Sequence, residues 1–275
     1  MGAGVHKRIG GGRHSLDRMT ASYPFTSALI TGASSGIGEA MVRQLGEAGI
    51  PQTIVARRVE RLEELAAGYS DVEVLAADLT TAEGVESVVR RIDDGTVDLV
   101  VNNAGFGTSG EFHTLDPDRL GDEIALNIAA LTRISRAALG VMVPRRRGYL
   151  LNVSSVASFQ PAPKLAVYAA TKAYVTSLTE SLHEEVRGTG VHVTALCPGL
   201  TRTEFQSVSN ADSYTAQYPS LAWLSAGEVA AAGLRDVAKG RALSVPGALY
   251  KAMVTASSVT PRGLARRLAS LVQRD

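Results

Sequence analysis

Short apolar runs alternate along this chain with longer segments of mixed polarity. Each run is four to six residues long: ALIT at 28–31, TIVA at 53–56, VEVLAA at 72–77, VDLVV at 97–101, YLLNV at 149–153, VHVTAL at 191–196 and ALSV at 242–245. Such runs are typical of strands buried on both faces of a parallel sheet, and the segments between them have room for helices. The pattern predicts an α/β fold with one doubly wound parallel sheet of about seven strands and helices on both faces.

Length and composition favour a single domain. The 275 residues, 45% of them hydrophobic, are enough for one large domain with a substantial core, which we place at residues 26–245. Residues 1–25 are rich in glycine and basic side chains, contain no apolar stretch of signal-peptide length, and predict a flexible tail. Met19 stands just ahead of the domain. Residues 1–18 are therefore either a native extension, the result of a start upstream of Met19, or a segment added to the natural protein. A mitochondrial presequence is a further alternative.

A glycine-rich segment, GASSGIG, directly follows the first predicted strand and precedes a helical run. Its glycines are Gly32, Gly36 and Gly38, a spacing that differs from the common Gly-x-Gly-x-x-Gly fingerprint. A strand, a glycine turn and a helix in this order bring backbone N–H groups and a helix N-terminus to a pyrophosphate. The segment therefore predicts a dinucleotide site on a Rossmann-like sheet, with a plain glycine turn as the alternative.

The end of the second predicted strand bears on the choice of cofactor. An acidic residue there would bind the ribose 2′-hydroxyl of NAD, but this chain has Arg57 and Arg58. Guanidinium groups suit a phosphate, whereas a carboxylate would repel one. We therefore predict NADP(H) as the cofactor. The alternative is a solvated basic pair at the start of a helix.

Tyr168 and Lys172 lie four residues apart in YAATK, within a segment, 167–182, whose apolar spacing predicts a helix. Residues at this spacing share a helix face, so the lysine charge would favour the tyrosine phenolate. Ser155 follows the apolar run LLNV, which places its hydroxyl at the carboxyl end of a strand, where ligands bind in such sheets. Together the three side chains predict carbonyl reduction.

These motifs closely resemble those of the short-chain dehydrogenase/reductase family over residues 26–245. The matching segments are TGASSGIG at 31–38, Asp78 in AADLT, VNNAG at 101–105, Asn127 in IALNI, the Ser155, Tyr168 and Lys172 set, and CPGLTRT at 197–203. The resemblance implies cofactor contacts at Gly32, Ser34, Ser35, Gly36, Ile37, Gly38, Arg57, Arg58, Asp78, Asn103, Ala104, Gly105, Tyr168, Lys172, Pro198, Gly199, Thr201 and Thr203.

The resemblance also implies an NADPH-dependent oxidoreductase that reduces a carbonyl to an alcohol and catalyses the reverse reaction. Tyr168 would donate the proton, and Ser155 would hydrogen-bond the substrate oxygen. Lys172 would lower the tyrosine pKa and bind the nicotinamide ribose, while Asn127 would hold a water that links the lysine to solvent. A non-catalytic NADP(H)-binding sensor is the alternative, since a fold does not guarantee a function.

Residues 201–224, which we call the lid segment, contain Phe205, Tyr214, Tyr218, Leu221 and Trp223. In a chain that is only 5% aromatic, this concentration predicts an apolar pocket. We expect a hydrophobic ketone, such as a 3-oxoacyl or lipid-like compound, bound by Ser155, Tyr168, Phe205 and Tyr214. A steroid, a quinone or a small aldehyde is an alternative substrate, and the aromatic residues would otherwise only anchor the lid segment.

Residues 246–275 carry apolar side chains among basic ones and predict an amphipathic C-terminal extension of two helices. The extension would pack over the substrate cleft or an oligomer face, and peripheral membrane contact is the alternative. No run approaches the roughly 20 apolar residues that a membrane span needs. The family resemblance further implies a homodimer or homotetramer built through the helices that begin near Asp118 and Val167.

Charge and metal-ligand patterns narrow the function classes further. A net charge of +1 gives no electrostatic support for nucleic acid as a partner, so we expect a small-molecule substrate and a cytoplasmic protein. The five histidines show no zinc-like spacing, and we predict no metal. The one cysteine, Cys197, ends an apolar run and is predicted to be a core residue. The basic run at 145–147 predicts a solvated turn.

Overall fold

The structure, a computed structural model, describes residues 23–211, 219–260 and 263. Its main sheet has seven strands, all parallel, in the order β3-β2-β1-β4-β5-β6-β9. They are β1 Ala28–Thr31, β2 Gln52–Ala56, β3 Val72–Ala76, β4 Leu99–Asn102, β5 Gly148–Val153, β6 Val191–Leu196 and β9 Leu243–Ser244. The seven apolar runs form these strands, so the predicted Rossmann-like sheet is confirmed.

Helices cover both faces of the sheet. In chain order they are α1 Gly36–Glu47, α2 Val59–Ala66, α3 Ala82–Asp93, α4 Pro117–Ile124, α5 Leu131–Met142, α6 Ala166–Glu185, α7 Phe205–Val208, α8 Ala226–Ala238 and α9 Ala248–Val259. Apolar side chains of α1, α2 and α8 form the core on one face, and those of α3 and α5 form the core on the other. Both faces of the central strands are thereby removed from water, which accounts for their continuous apolar sequences.

The helices α4 and α5 belong to one continuous helix, Pro117–Met142, whose middle turns at Ala125–Ala130 are π-helical. Asp116 caps its N-terminus by accepting from the backbone N–H of Asp118, and proline occupies the first position. Among the described helices it is the one long and apolar enough, at 26 residues, to cross a membrane by length and composition. About a third of its most apolar stretch is buried, and Ile134 and Met142 belong to the core.

The basic run at 145–147 lies in a turn with Arg146 and Arg147 exposed, as predicted, and it also makes contacts that the sequence did not predict. The Arg147 guanidinium donates to both carboxylate oxygens of Asp98 at 3.1 and 3.0 Å, and the backbone N–H of Thr26 donates to the same carboxylate at 3.0 Å. Arg145 donates to the carbonyl oxygens of Gly95 and Val97. The run therefore joins the start of β5 to the starts of β1 and β4.

The described part of the C-terminal extension packs against the lid segment. The Tyr250 hydroxyl accepts from the backbone N–H of Leu200 at 3.0 Å and donates to the carbonyl of Ala222 at 2.7 Å. A Cβ on Gly199 would lie 2.1 Å from the Tyr250 ring, so only glycine fits there. Nearby, β7 Thr201–Arg202 and β8 Leu224–Ser225 form a small parallel sheet that joins the two ends of the lid segment. The predicted second helix lies outside the described residues.

The Asp98 contacts lead to a prediction about stability. Burial acts to raise the pKa of Asp98, but the hydrogen bonds from Arg147 and Thr26 outweigh it and lower the pKa. Asp98→Asn should reduce the free energy of unfolding by roughly 1–3 kcal/mol at pH 7, as expected for bonds to a charged group. A depressed carboxyl pKa stabilises the fold above the unfolded value of about 3.9 and loses this effect as pH falls through the folded value.

Urea unfolding at pH 7 and pH 3 measures this effect, with the exposed Asp94→Asn as the control. The difference between wild type and Asp98→Asn should be smaller at pH 3, which lies below the unfolded pKa of about 3.9. Equal unfolding midpoints at pH 7 would contradict the assigned role of Asp98.

Candidate active site

A cleft of about 740 Å³ opens at the carboxyl ends of the strands. It lies where the strand order reverses between β1 and β4, which is the usual ligand site of doubly wound sheets. The sequence-predicted residues that line it are Gly32, Ser34, Ser35, Gly36, Ile37, Arg57, Arg58, Asp78, Asn103, Ala104, Gly105, Ser155, Tyr168, Lys172, Pro198, Gly199, Thr201, Thr203 and Phe205. Gly38 and Asn127 lie behind this lining, and Tyr214 lies outside the described residues.

The glycine turn is held tightly against the end of β4. The Asn103 side-chain amide donates to the carbonyl oxygens of Thr31 and Gly32 at 2.9 and 3.1 Å. A Cβ on Gly32 would lie 2.8 Å from that amide, and one on Gly38 would lie 2.4 Å from the Gly32 carbonyl. Gly32 also has a φ of +66°, which favours glycine. Gly38 therefore supports the turn from behind.

The N-terminus of α1 faces the cleft with its backbone donors available. Ser35 is the N-cap residue, and its side chain makes no capping hydrogen bond within the described part of the chain. A helix N-terminus with free N–H groups and a favourable dipole is suited to an anion. The turn and the helix start together fit the pyrophosphate of a dinucleotide.

Arg58 lies where α2 begins and points back to the glycine turn. Its Nε and Nη2 atoms donate to the Ser34 hydroxyl at 3.2 and 3.0 Å, and its Nη1 atom donates to Glu204 at 2.8 Å. Arg57 lies beside Asp78, with 3.8 Å between the charged groups. Guanidinium and hydroxyl donors therefore converge at this end of the cleft, a set that fits a phosphate monoester.

Tyr168 and Lys172 lie one turn apart on α6, at the opposite end of the cleft. The helix spans Ala166–Glu185, which includes the predicted segment 167–182. The Lys172 ammonium donates to the carbonyl of Val153 at 2.8 Å and lies 5.7 Å from the centre of the Tyr168 ring. Ser155 follows β5, and its hydroxyl accepts from the backbone N–H of Ala157 at 3.1 Å. The strand end and the helix thus bring the three side chains to one wall.

Burial has the largest effect on the pKa values of Tyr168 and Lys172 on this wall. It raises the pKa of Tyr168 to about 12, and a hydrogen bond with Ser155 opposes the rise. Burial also lowers the pKa of Lys172 to about 8, while the Glu123 carboxylate acts to raise it. The sequence predicts that Lys172 lowers the tyrosine pKa. In the structure desolvation outweighs any such effect, because both side chains are removed from water.

Asn127 lies in the π-helical turns between α4 and α5 and holds the loop that follows β4. Its side-chain amide donates to the Phe106 carbonyl at 2.8 Å and to the Thr171 hydroxyl at 3.1 Å. A Cβ on Gly105 would lie 2.8 Å from the Asn127 side-chain oxygen and 3.4 Å from the Lys172 ammonium. The loop therefore passes closely between Asn127 and Lys172. Single π turns of this kind are frequent at functional sites.

An apolar wall faces Tyr168. The Phe205 ring lies 5.2 Å from the Tyr168 ring between centroids, and Leu249, Tyr250 and Met253 of α9 line the same cleft. The helix α9 also packs against residues Val156–Phe159, which directly follow Ser155. Sequence reasoning left open whether the C-terminal extension packs over the substrate cleft, an oligomer face or a membrane surface, and these α9 residues line the cleft. It missed Arg61 and Glu204, although Arg61 follows Arg58 by three residues and shares its helix face.

The metal-binding residue types and the one cysteine lie as follows in the described part of the chain. Within residues 23–211, 219–260 and 263, no cluster of three or more His, Cys, Asp and Glu side chains is arranged to hold a metal ion. Cys197 is buried at the end of β6, and burial raises the pKa of its thiol to about 12. Its position is that of a core residue.

Comparison with known proteins assigns the family. Residues 26–213 match the family model described as short chain dehydrogenase. A protein described as an uncharacterized oxidoreductase from Staphylococcus epidermidis is 32% identical over 210 residues, which cover 70% of this chain and 91% of the relative. Another so described, from Myxococcus xanthus, is 36% identical over 197 residues and 69% and 78% of the two chains. The chain belongs to the short-chain dehydrogenase/reductase family of NAD(P)-binding oxidoreductases, which act on CH–OH and C=O groups.

Two solved structures extend the comparison. A short-chain dehydrogenase from Sphingobium yanoikuyae in complex with NADPH is 31% identical, with a TM-score of 0.78 over 90% of this chain and 96% of its own. A bulky-bulky ketone specific alcohol dehydrogenase from Comamonas testosteroni is 28% identical, with a TM-score of 0.72 over 86% and 95% of the two chains.

Glu123, on α4 one turn before Asn127, is a buried acid behind the active-site wall. Its side chain is fully buried, and neither carboxylate oxygen has a hydrogen-bond partner within the described residues. Burial raises the pKa of Glu123, and the nearby Thr108, Lys172 and Arg119 oppose the rise. Thr108 lies close enough to influence this pKa, but its hydroxyl does not meet the geometry of a hydrogen bond.

Glu123→Gln should therefore gain stability relative to wild type as pH rises. A raised folded pKa means that the folded state binds more protons, so wild type loses stability between the ordinary glutamate pKa of about 4.3 and the higher folded value. Thermal unfolding at pH 5 and pH 8 measures this, with Asp122→Asn as an exposed neighbour control. A difference between Glu123→Gln and wild type that is equal at both pH values would contradict the assignment.

Proposed function

We propose that this protein is an NADPH-dependent carbonyl reductase that acts on a hydrophobic ketone and also catalyses the reverse oxidation. The observation that carries the proposal is one continuous cleft with two chemically different ends. Arg57, Arg58 and Ser34 supply phosphate donors at one end, and Ser155 and Tyr168 face an apolar wall at the other. The Sphingobium relative was solved with NADPH, which supports the choice of cofactor.

The cofactor would lie along the cleft from the arginines to Tyr168. The glycine turn and the N-terminus of α1 bind the pyrophosphate, and Arg58 with Ser34 binds the 2′-phosphate. Asp78, which accepts from the backbone N–H and the hydroxyl of Thr80 at 3.0 and 2.8 Å, borders the adenine. The remaining predicted contacts lie in the loops after β4 and β6.

When bound, NADPH supplies a hydride to the carbonyl carbon of the substrate. Tyr168 donates its proton to the carbonyl oxygen, and the Ser155 hydroxyl donates a hydrogen bond to the same oxygen. Since the pKa of Lys172 is about 8, its ammonium form predominates at neutral pH and stabilises the phenolate left on Tyr168. Asn127 holds in place the loop after β4, which passes between the side chains of Asn127 and Lys172.

The substrate class follows from the apolar wall. Phe205 packs beside Tyr168, and Leu249 and Met253 line the same cleft, so we expect apolar groups next to the carbonyl. We favour a 3-oxoacyl or other lipid-like ketone over a steroid, a quinone or a small aldehyde. The Comamonas relative, specific for bulky-bulky ketones, supports a substrate with two large substituents.

We further propose a homo-oligomer built through α4, α5 and α6, with a cytoplasmic location. Ile124 and Tyr174 are large apolar side chains that remain exposed on these helices, and the Tyr174 hydroxyl lies 3.0 Å from the Thr132 hydroxyl. The mass of the protein in solution tests this arrangement. Peripheral membrane contact through the C-terminal extension stays a prediction, and residues 261–262 and 264–275 of the extension lie outside the described residues.

Tyr168→Phe should abolish turnover while the fold and NADPH binding persist. The substitution removes only the proton donor, and general acid catalysis contributes about 10²–10⁴-fold to a rate. Oxidation of NADPH, followed by absorbance, measures the loss against 3-oxoacyl thioesters, long-chain ketones, steroids, quinones and small aldehydes. Tyr174→Phe on the same helix is the control and should retain activity.

The ketone proposal predicts that the large apolar ketones of this panel turn over faster than the small aldehydes. Full activity of Tyr168→Phe would overturn the mechanism. Tight NADPH binding with no turnover of any carbonyl compound would favour the non-catalytic sensor instead.

Arg57→Asp combined with Arg58→Ala should weaken NADPH binding by about 100-fold, because it removes charged donors and adds repulsion to the 2′-phosphate. NADH lacks that phosphate and should bind within about three-fold of its wild-type affinity, so it is the internal control. Titration of both cofactors by fluorescence gives the two dissociation constants. An unchanged ratio of the two constants would refute the role of the arginines.

A further inference from the structure

Glu204, in the lid segment, joins that segment to the arginines of α2. Its carboxylate accepts from Arg58 Nη1 at 2.8 Å and from Arg61 Nη1 at 2.6 Å. The hydrogen bonds from Arg58 and Arg61 lower the pKa of Glu204, so the carboxylate is ionised at neutral pH. Arg58 and Arg61 share one face of α2, so a single anion between them contacts both.

The position of this carboxylate coincides with the end of the cleft assigned to phosphate. Glu204, Arg58 and Ser34 all line the cleft, and the other side of the Arg58 guanidinium donates to the Ser34 hydroxyl at 3.0 Å. An arginine fork binds carboxylate and phosphate oxygens in the same way. Glu204 thus provides the arginine pair with an anion that belongs to the protein itself.

We propose that Glu204 is a specificity-determining residue that competes, as an internal anion, with the 2′-phosphate of NADP(H) for Arg58 and Arg61. Arg61 is then a further cofactor-binding residue, which contacts the phosphate once Glu204 has left. The proposal rests on the assignment of Arg58 to the 2′-phosphate in the proposed function.

The competition is unequal between the two cofactors. A phosphate monoester carries up to two negative charges against one on the carboxylate, so it displaces Glu204. NADH has a hydroxyl at this position and leaves the ion pairs intact. Glu204 therefore lowers the affinity for NADP(H) and has little effect on the affinity for NAD(H). The preference for NADP(H) over NAD(H) is then smaller than the arginines alone would give.

The displacement also reaches the substrate side of the cleft. Phe205 directly follows Glu204, and its ring is the one that lies 5.2 Å from the Tyr168 ring. The hydroxyl of Thr203, the residue before Glu204, accepts from the backbone N–H of Phe205 at 3.2 Å. Release of Glu204 from α2 thus frees one end of the short segment that presents Phe205 to the substrate.

The test compares wild type with Glu204→Gln, which keeps the shape of the side chain and removes its charge. The full-length protein is titrated with 2′,5′-ADP and 5′-AMP, which probe the phosphate site without the nicotinamide, and with NADP⁺ and NAD⁺. The dissociation constants for 2′,5′-ADP and NADP⁺ should fall about five-fold, since partly exposed ion pairs are weak. Those for 5′-AMP and NAD⁺ should stay within about two-fold.

Two further variants separate the roles of the residues. Glu184→Gln removes a carboxylate that pairs with Arg187 near the C-terminal end of α6, and it should leave all four constants unchanged. Arg61→Ala in the Glu204→Gln background should weaken the binding of 2′,5′-ADP and NADP⁺ about ten-fold relative to Glu204→Gln alone. In Glu204→Gln the Arg61 guanidinium is free to contact the phosphate, and Arg61→Ala removes that contact.

The opposite results overturn the proposal. Weaker binding of 2′,5′-ADP to Glu204→Gln would mean that Glu204 orients the arginines rather than competing with the ligand. Unchanged binding of 2′,5′-ADP and NADP⁺ to Glu204→Gln would mean that Glu204 forms surface ion pairs that do not affect cofactor binding. A wild-type protein that binds 5′-AMP as tightly as 2′,5′-ADP would instead refute the proposed NADP(H) function, an outcome measured separately from the effect of the variant.

Discussion

The side-chain amide of Asn103 is the interaction on which the site depends. It bonds two successive carbonyl oxygens, those of Thr31 and Gly32, at the carboxyl end of β1, while its own backbone belongs to the end of β4. The Thr31 hydroxyl returns the contact by accepting from the backbone N–H groups of Asn103 and Ala104. The chain runs in opposite directions from the ends of β1 and β4. The hydrogen bonds between Asn103 and the end of β1 therefore set the width of the crevice in which the ligand lies.

The sequence predicted the parts of this structure that depend on local patterns. Seven strands follow from seven apolar runs, and the glycine turn follows from a spacing that brings backbone atoms together. The contacts that it could not predict join distant segments. Tyr250 bonds Leu200 and Ala222, and Glu204 pairs with Arg58, and no local pattern encodes which surfaces meet. The basic turn is exposed, as predicted, but its contacts with Asp98 could not be predicted for the same reason, since Asp98 lies far from it in sequence.

Burial also changed the electrostatic part of the prediction. A lysine one turn from a tyrosine indicates a favourable charge, but the cost of removing both groups from water depends on how completely the fold encloses them. Here Tyr168 and Lys172 are almost fully enclosed, and Glu123 adds a third buried ionisable group behind them. The Glu123 carboxylate acts to raise the pKa of both Tyr168 and Lys172, so its protonation state affects theirs.

The hydroxyl of Tyr250 bonds both ends of the lid segment, while its ring fills the space that Gly199 leaves open. Its neighbours Leu249 and Met253 line the cleft. One helix therefore shapes the substrate wall and also anchors the segment that covers it. Divergence of α9 among related enzymes would then alter selectivity and closure together, so a change of substrate range in this lineage would carry a change in turnover kinetics with it.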